Sequence, residues 1–200
     1  MPALTESDIE SDPIAQFANW FDEARGVVKP HPHAMAFATA TPSGRPSARI
    51  VLMKDFDATG FVFYTNYDSR KGRELSRNAR GSLLFYWGAL DRQVRVEGKV
   101  KKVTRRESDE YFATRARGSQ LSAWASSQSA VLPNRAALEK NYADAAAGHS
   151  RDVPRPPYWG GYRLIPEAIE FWQGREDRLH DRIRYRRARN GRWQVERLAP

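Results

Sequence analysis

A succession of strand-like segments joined by short turns constrains the fold of this chain most strongly. A first segment (AMAFATA) alternates alanine with larger residues, and residues 47–54 (SARIVLMK) and 60–66 (GFVFYTN) follow it after short turns. Side chains of a strand point alternately to its two faces, and strands joined by short turns run antiparallel. This part of the chain is therefore predicted to form an antiparallel meander, with residues 55–60 as one of its turns.

Further strands and helices are predicted from the same kinds of pattern. Asp12 before Pro13 is a typical helix start, because the first supplies a capping side chain and the second fits the first helical position. The predicted helices are 12–26, 69–79, 104–118 and 133–147, and the further predicted strands are 81–88, 92–103, 161–171, 180–188 and 192–198. Strands and helices do not alternate one for one, which disfavours a doubly wound sheet. The pattern predicts a mainly β (α+β) protein, a small closed antiparallel β-barrel with inserted helices.

Composition limits the classes of protein that remain. The 200 residues suit one domain, residues 12–200, after a disordered tail at residues 1–11. The chain has no Cys, no apolar run of membrane-spanning length and no secretory signal, so we expect a soluble cytoplasmic protein with no membrane partner. His31 and His33 have no third ligand nearby, so no metal site is expected. The formal charge of +9 raises nucleic-acid binding as a hypothesis, although the arginines are interleaved with acids.

The stretch 170–187 (EFWQGREDRLHDRIRYRR) holds the densest set of charged and aromatic side chains. Interpreted as one extended strand, it places a row of cations on one face, namely Arg178, His180, Arg182, Arg184 and Arg186. Its other face, with Leu179, Ile183 and Tyr185, is apolar enough to pack. Guanidinium groups bind phosphate or carboxylate through a planar fork of donors, so the row suits an anionic ligand. A solvated strand face is the alternative.

A second candidate anion site is the predicted helix start at Ser69, Arg70 and Lys71. Free N–H groups and the positive end of the helix dipole meet two cationic side chains there, which suits a phosphate group. The alternative is a surface helix cap beside two solvated cations.

A third candidate consists of Tyr111, Arg115 and Ser119, which are spaced by four residues and would share one face of a helix. Two hydroxyls beside a guanidinium could hold a second phosphate. The alternative is an amphipathic helix whose tyrosine packs and whose arginine is solvated.

Two weaker signals complete the candidates. Arg49 and Lys54 bracket an apolar strand, but an odd and an even position point to opposite faces of a regular strand. Both can serve one site only if the strand has a bulge or if one of them acts from its end. Gln128 and Ser129 lie in a polar loop and could donate hydrogen bonds to a ligand.

Several separate blocks of sequence, in one order, carry a resemblance to a known family. They are RIVLMK (49–54), FYTNYDSRKGREL (63–75), RQVRVEG (92–98), SQLSAWASSQS (119–129), WGGYR (159–163), EFWQGREDRLHDR (170–182) and ERLAP (196–200). The chain resembles the pyridoxine/pyridoxamine 5′-phosphate oxidase family from about Asp12 to Pro200. The resemblance implies an antiparallel FMN-binding split β-barrel and a homodimer with FMN in clefts between the subunits.

The resemblance also implies roles for single residues. Those expected to bind FMN are Arg49, Ile50, Val51, Leu52, Met53, Lys54, Tyr64, Thr65, Arg70, Lys71, Gln93, Gln128, Ser129, Trp172 and Arg182. Those expected to bind the substrate phosphate are Lys54, Tyr111, Arg115 and Ser119. Arg178 and His180 are expected at the substrate ring and its reacting carbon, as the catalytic residues.

The implied reaction oxidises pyridoxine 5′-phosphate and pyridoxamine 5′-phosphate to pyridoxal 5′-phosphate, with O2 as acceptor and H2O2 as product. Two alternatives remain: a related split-barrel oxidase acting on another flat substrate, such as a phenazine precursor, or a basic nucleic-acid-binding protein. The matching phosphate-binding residues favour the phosphorylated pyridine. The family often carries an N-terminal Arg and Tyr over the substrate, and residues 1–12 hold neither.

Overall fold

The computed structural model describes residues 3–200, and its strands form one antiparallel sheet. The strands are β1 Ala34–Ala40, β2 Pro46–Leu52, β3 Asp55–Asp57, β4 Gly60–Asn66, β5 Arg80–Trp87, β6 Arg92–Lys102, β7 Trp159–Gln173, β8 Asp181–Arg187 and β9 Trp193–Arg197. The helices are α1 Pro13–Val27, α2 Arg70–Arg77, α3 Arg105–Ala113, α4 Arg117–Ala125 and α5 Arg135–Gly148, with single 3-10 turns at Gly88–Leu90 and Glu176–Arg178. The predicted mainly β fold with inserted helices is confirmed.

Strand β7 is the centre of the sheet. The order is β2-β1-β5-β6-β7-β4-β3, with β8 and then β9 added beside β7. One edge of β7 pairs with β6, while the other edge pairs first with β4 and then with β8. Glu97 pairs with Ala168 and Gly98 with Pro166, so one extra residue of β7 is left between them. Such a bulge bends a strand and increases its twist, which helps to curl the sheet into a barrel.

Aromatic side chains fill the barrel under helix α1. Phe17 is fully buried and makes edge-to-face contacts with Phe56 and Phe61 at ring distances of 4.9 and 4.8 Å. The helix begins where expected, because the Asp12 side chain accepts a hydrogen bond from the backbone N–H of Ile14. Burying an aromatic side chain of this size stabilises the fold by roughly 2–3 kcal/mol, so α1 closes the core.

A second, smaller core holds α3 and α4 against the start of β7. Its buried members are Phe112, Leu121, Ala123, Val153 and Trp159. This cluster fixes the two helices beside the sheet, and the region between them becomes one wall of a cavity.

Two predicted elements differ from the structure. The helix predicted at 104–118 is two helices, because the chain is extended at Ala116 and the Thr114 hydroxyl donates to the carbonyl of Tyr111 and closes α3. The turn predicted at 55–60 contains the short strand β3, which pairs with the start of β4. A three-residue strand is too short to show a periodic pattern in sequence.

The interpretation of residues 170–187 as one strand is wrong. Strand β7 ends at Gln173 and β8 begins at Asp181, with a turn between them in which Asp177 and Arg178 have positive φ angles of 52° and 62°. Leu179 is therefore 70% exposed and does not pack as expected. The two other members of the predicted apolar face, in β8, are buried.

Part of the N-terminal segment lies against the body of the protein. Leu4 is 8% exposed, and its carbonyl accepts a hydrogen bond from Arg197. The hydroxyl of Tyr185 donates to the carbonyl of Glu10. The disorder predicted for residues 1–11 is a statement about their mobility, and it stays a prediction. Residues 1 and 2 lie outside the part of the chain that the structure describes. No helix within residues 3–200 is both long and apolar enough to cross a bilayer.

Candidate active site

A cavity of about 1360 Å³ opens between β2, β4, the start of α2 and helices α3 to α5. Its charged lining is strongly unbalanced. Six basic side chains, Arg49, Lys54, Arg70, Lys71, Arg115 and Arg135, line it with one acidic side chain, Glu139. Such a surface concentrates anions through its summed field. The sequence predicted most of these cations as ligands of anions, and the fold brings them together.

The start of helix α2 forms one cationic end of the cavity. Ser69 caps the helix, and the ammonium group of the buried Lys71 donates to the hydroxyls of Thr65 and Ser69 and to the side-chain carbonyl of Gln128. Burial, and then the charge of Arg49, lower the pKa of Lys71 to about 8. Its hydrogen bonds are to neutral groups, so the Lys71 charge is available to an anion.

Glu74 organises the two arginines beside this helix start. Its carboxylate accepts hydrogen bonds from Thr39, Ser47 and Arg70 and lies 3.5 Å from Arg49. Burial opposes ionisation of Glu74, but hydrogen bonds from Ser47, Thr39 and Arg70 outweigh it and lower the pKa to about 2. Glu74 thus fixes both guanidinium groups at the cavity wall. Sequence reasoning missed Glu74; its only signal is the spacing of four residues from Arg70.

Arg115 forms a second cationic group. Its guanidinium lies over the rings of Trp159 and Phe112, 4.6 and 5.4 Å from their centroids. Its Nη1 atom is buried and has no hydrogen-bond partner among the described residues. Burial lowers the pKa of Arg115. Buried donors are nearly always paired, so an unpaired guanidinium facing a cavity indicates a site for an anionic ligand.

Stacked aromatic rings line the same cavity as the two cationic groups. Tyr64 and Tyr111 stack at 3.9 Å with an interplanar angle of 16°, and Trp159 lies nearly parallel to both, 5.6 Å from Tyr64 and 6.2 Å from Tyr111. Burial, and then the charge of Glu107, raise the pKa of Tyr64 to about 12, so its hydroxyl stays protonated. Sequence analysis gave Trp159 no role, and its only signal was an aromatic residue before two glycines.

The predicted group Tyr111, Arg115 and Ser119 does line the cavity, but not as one helix face. Tyr111 lies in α3, Arg115 in the break and Ser119 in α4. The single-face prediction is wrong because the helix ends at Ala113. Three separate elements bring the side chains together instead.

Strand β2 presents both of its predicted cations to the cavity without a bulge. Lys54 lies beyond the last residue of β2, Leu52, so it acts from the end of the strand. Predicted residues that also line the cavity are Arg49, Ile50, Val51, Leu52, Tyr64, Thr65, Arg70, Lys71, Gln128 and Ser129. Met53 does not line it, because its side chain is 5% exposed and packs in the barrel core.

Five predicted residues lie outside this cavity, near the far end of β7. They are Gln93, Trp172, Arg178, His180 and Arg182. Trp172 pairs with Gln93 on one side and with Arg182 on the other, and the rings of Trp172 and His180 are 4.6 Å apart. We call these five residues the far-end group. The remaining cations of the predicted row, Arg184 and Arg186, form ion pairs with Glu196.

The cavity and the far-end group are separated along one strand. Trp159 lines the cavity at the start of β7, and Trp172 lies thirteen residues further in the same strand. At roughly 3.3 Å per residue this corresponds to about 40 Å of chain. The two groups therefore lie at opposite ends of β7, and the far-end group does not line the cavity of its own subunit.

The sheet and its cavity define a class, the split-barrel flavoprotein fold. A solved pyridoxamine 5′-phosphate oxidase-related, FMN binding protein from Nostoc punctiforme has this fold, with a TM-score of 0.74 over 93% of this chain and 96% of that one, at 18% identity. PhzG from Burkholderia lata 383, solved with tetrahydrophenazine-1-carboxylic acid, has a TM-score of 0.93 and 36% identity, covering 100% of this chain and 99% of that one.

Sequence comparison identifies the family. Residues 21–147 match the family model described as pyridoxamine 5′-phosphate oxidase, and residues 159–200 match the pyridoxine 5′-phosphate oxidase C-terminal dimerisation region. The pyridoxine/pyridoxamine 5′-phosphate oxidase of Herminiimonas arsenicoxydans is 56% identical over 197 residues, which are 98% of this chain and 93% of that relative. This chain belongs to the pyridoxamine 5′-phosphate oxidase family, as the resemblance implied.

Proposed function

We propose that this chain is an FMN-dependent oxidase that converts pyridoxine 5′-phosphate and pyridoxamine 5′-phosphate into pyridoxal 5′-phosphate. Oxygen is the acceptor and hydrogen peroxide the second product. The observation that carries the proposal is the pair of cationic groups in one cavity, at Lys71 and at Arg115, together with aromatic rings in the lining of that cavity. FMN and the substrate each bring one phosphate and one flat ring, so two anion sites are needed.

The helix start at Ser69 suits the FMN phosphate. Lys71, Arg70 and Arg49 supply positive charge there, and the hydroxyl of Thr65 and the amide of Gln128 supply further hydrogen bonds. The backbone of β2 beside them offers donors and acceptors for the isoalloxazine edge. When bound, FMN supplies the chemistry of accepting a hydride and passing two electrons to oxygen.

Arg115 suits the substrate phosphate. Its unpaired Nη1 gives a charge-assisted hydrogen bond, and Lys54, Tyr111 and Ser119 line the same cavity with two hydroxyls and a second cation. Binding at the phosphate orients the reacting carbon at a distance from it. Such remote binding energy lowers the entropy cost of reaching the transition state.

A second copy of the chain completes the site in this proposal. The far-end group, with Trp172, Arg178 and His180, belongs to the segment that matches a dimerisation region. In a two-fold dimer the cavity of one protomer receives the far-end group of its partner, so FMN lies at the subunit interface. Gln93, Trp172 and Arg182 then contact FMN, while Arg178 and His180 reach the reacting carbon.

The direct test is purification followed by an assay. We expect a yellow protein that releases FMN on denaturation, and that forms peroxide and pyridoxal 5′-phosphate in equal amounts from either substrate. A colourless protein that cannot be reconstituted with FMN contradicts the proposal. A cytoplasmic location stays a prediction from the sequence.

A second candidate is oxidation of a flat carboxylic acid such as a phenazine precursor, which the likeness to PhzG favours. Both substrates are flat anions, but only a phosphate offers three oxygens to Arg115, Lys54 and Ser119 together. Comparing kcat/KM for pyridoxine 5′-phosphate and for a dihydrophenazine carboxylic acid separates them. A preference for the phenazine compound would favour the second candidate.

A further inference from the structure

The turn between β7 and β8 carries two of the far-end group and has an unusual backbone. Asp177 and Arg178 adopt positive φ angles in succession, and neither is glycine. Residues with side chains hold this conformation only where the surrounding structure over-determines it, and such positions concentrate at functional sites. The turn at residues 174–180 therefore requires contacts that hold it.

Asp181 supplies those contacts from the first position of β8. Its carboxylate accepts hydrogen bonds from Arg175 Nε at 2.7 Å, from the backbone N–H of Leu4 at 3.1 Å and from Arg197 Nη1 at 3.1 Å. Burial opposes ionisation of Asp181, but the bonds from Arg175, Leu4 and Arg197 outweigh it, and the pKa is lowered. Asp181 thus ties the turn to the N-terminal segment and to β9.

The same turn fixes the imidazole of His180. The backbone N–H of Arg175 donates to His180 Nδ1 at 3.1 Å, and the ring lies 4.6 Å from the ring of Trp172. A ring nitrogen that accepts a hydrogen bond carries no proton, so the neutral imidazole holds its proton on Nε2. Nε2 is then a donor toward whatever faces the far-end group.

We propose that Asp181 is the positioning residue of this turn, and that through Arg175 it keeps His180 in the tautomer with its proton on Nε2. His180 then donates a hydrogen bond from Nε2 to the substrate, and Nε2 does not accept a proton from the substrate. The role of His180 as a donor to the substrate rests on the proposed oxidase function, whereas the tautomer of His180 is a property of the protein alone.

The tautomer is measured without any turnover. Nitrogen-15 labelling of histidine gives signals from the chain's four histidines, and the set lost in His180→Gln identifies His180. We expect a pyridine-type shift at Nδ1 and a pyrrole-type shift at Nε2 in the FMN-loaded protein, and an averaged pair of shifts in Asp181→Asn. A proton on Nδ1 in the unsubstituted protein, or an unchanged tautomer in Asp181→Asn, overturns the proposal.

Kinetics separate a positioning role from a purely structural one. In Asp181→Asn we expect kcat to fall by about tenfold or more, with KM changed by less than about twofold, because the phosphate-binding residues lie elsewhere. Glu196→Gln is the matched control, since Glu196 also binds arginines of the β8–β9 hairpin but does not contact the turn. Equal kcat values in the two variants contradict the positioning role. If Asp181→Asn does not fold, Arg175→Met also removes the hydrogen bond between Arg175 Nε and the Asp181 carboxylate.

Two substitutions of His180 test whether its side chain acts as a hydrogen-bond donor during turnover. His180→Gln retains a donor near the position of Nε2, while His180→Glu places an acceptor there. We expect His180→Gln to keep several times more turnover than His180→Glu; the reverse order contradicts the donor role. A native protein that binds no FMN refutes the proposed function instead, and the NMR measurement still decides the tautomer.

Discussion

Single residues distinguish the cations of the cavity from the many cations of the surface. Lys71 is buried with hydrogen bonds only to neutral groups, and Arg115 keeps an unpaired buried nitrogen. Arg184, by contrast, forms a partly exposed pair with Glu196, and such pairs contribute at most about 1 kcal/mol. Burying Lys71 and Arg115 without an anionic partner costs free energy, which indicates that a bound ligand supplies the negative charge.

Replacing Arg115 with alanine tests the substrate-phosphate site. A charge-assisted hydrogen bond is worth about 1.5–3 kcal/mol, so we expect KM for pyridoxine 5′-phosphate to rise on the order of 10- to 100-fold. The measured FMN affinity should stay within about twofold, because the proposed site of the FMN phosphate is at the start of α2 and not at Arg115. Arg135→Ala is the control, since Arg135 also lines the cavity but pairs with Glu139. Loss of FMN from Arg115→Ala would show that Arg115 binds the cofactor.

Lys71 gives the FMN-free protein a distinctive pH dependence. Its pKa of about 8 in the folded protein lies below the ordinary lysine value of 10.5, so between these two pH values the unfolded chain binds more protons. The free energy of unfolding contributed by Lys71 therefore rises with pH across that window and is lowest below pH 8. We expect the difference in Tm between the native protein and Lys71→Met to shift in favour of the native protein from pH 7.5 to 9.5. A constant difference would mean that the Lys71 pKa is not lowered.

At the scale of elements, the sequence predicted what local patterns encode. Helix α2 and its Ser69 cap were predicted because a capping side chain and a helical pattern occur together. The break between α3 and α4 was missed, since no glycine or proline marks Ala116. Strands were predicted at 161–171 and 180–188 and are present, but the interpretation of residues 170–187 as one extended face was wrong. The turn between the strands uses non-glycine residues in a glycine-like conformation, stabilised by the distant Leu4 and Arg197.

Helix α2 is placed by a close backbone approach, which Gly72 permits. A Cβ at Gly72 would lie 1.9 Å from the carbonyl oxygen of Tyr67. Gly72→Ala must displace the first turn of α2, so we expect a loss of about 1–3 kcal/mol in unfolding free energy and weaker FMN binding. Gly26→Ala, with open space around it near the end of α1, should stabilise by about 0.5 kcal/mol. Chemical denaturation measures both; equal effects would contradict the close approach.

At the scale of the whole molecule, the fold places the cavity and the far-end group at opposite ends of β7. Alternation along the chain predicted the strands and the mainly β class, because each strand carries its own pattern. The distance between the cavity and the far-end group depends on how β7 pairs at both ends, and no local pattern contains that information. The cations of residues 170–187 therefore have different roles. Arg184 and Arg186 pair with Glu196, whereas the far-end group is proposed to complete the cavity of a partner subunit.

Mixing two inactive variants tests the central claim that each active site combines the cavity of one subunit with the far-end group of the other. One variant is Lys54→Ala/Arg115→Ala, and the other is Arg178→Ala/His180→Ala. After subunit exchange, half of the dimers are mixed and each holds one intact site, so we expect about a quarter of the native activity at limiting substrate. Activity no higher than that of the separate variants, with mixed dimers proven by differential tags, would contradict the account.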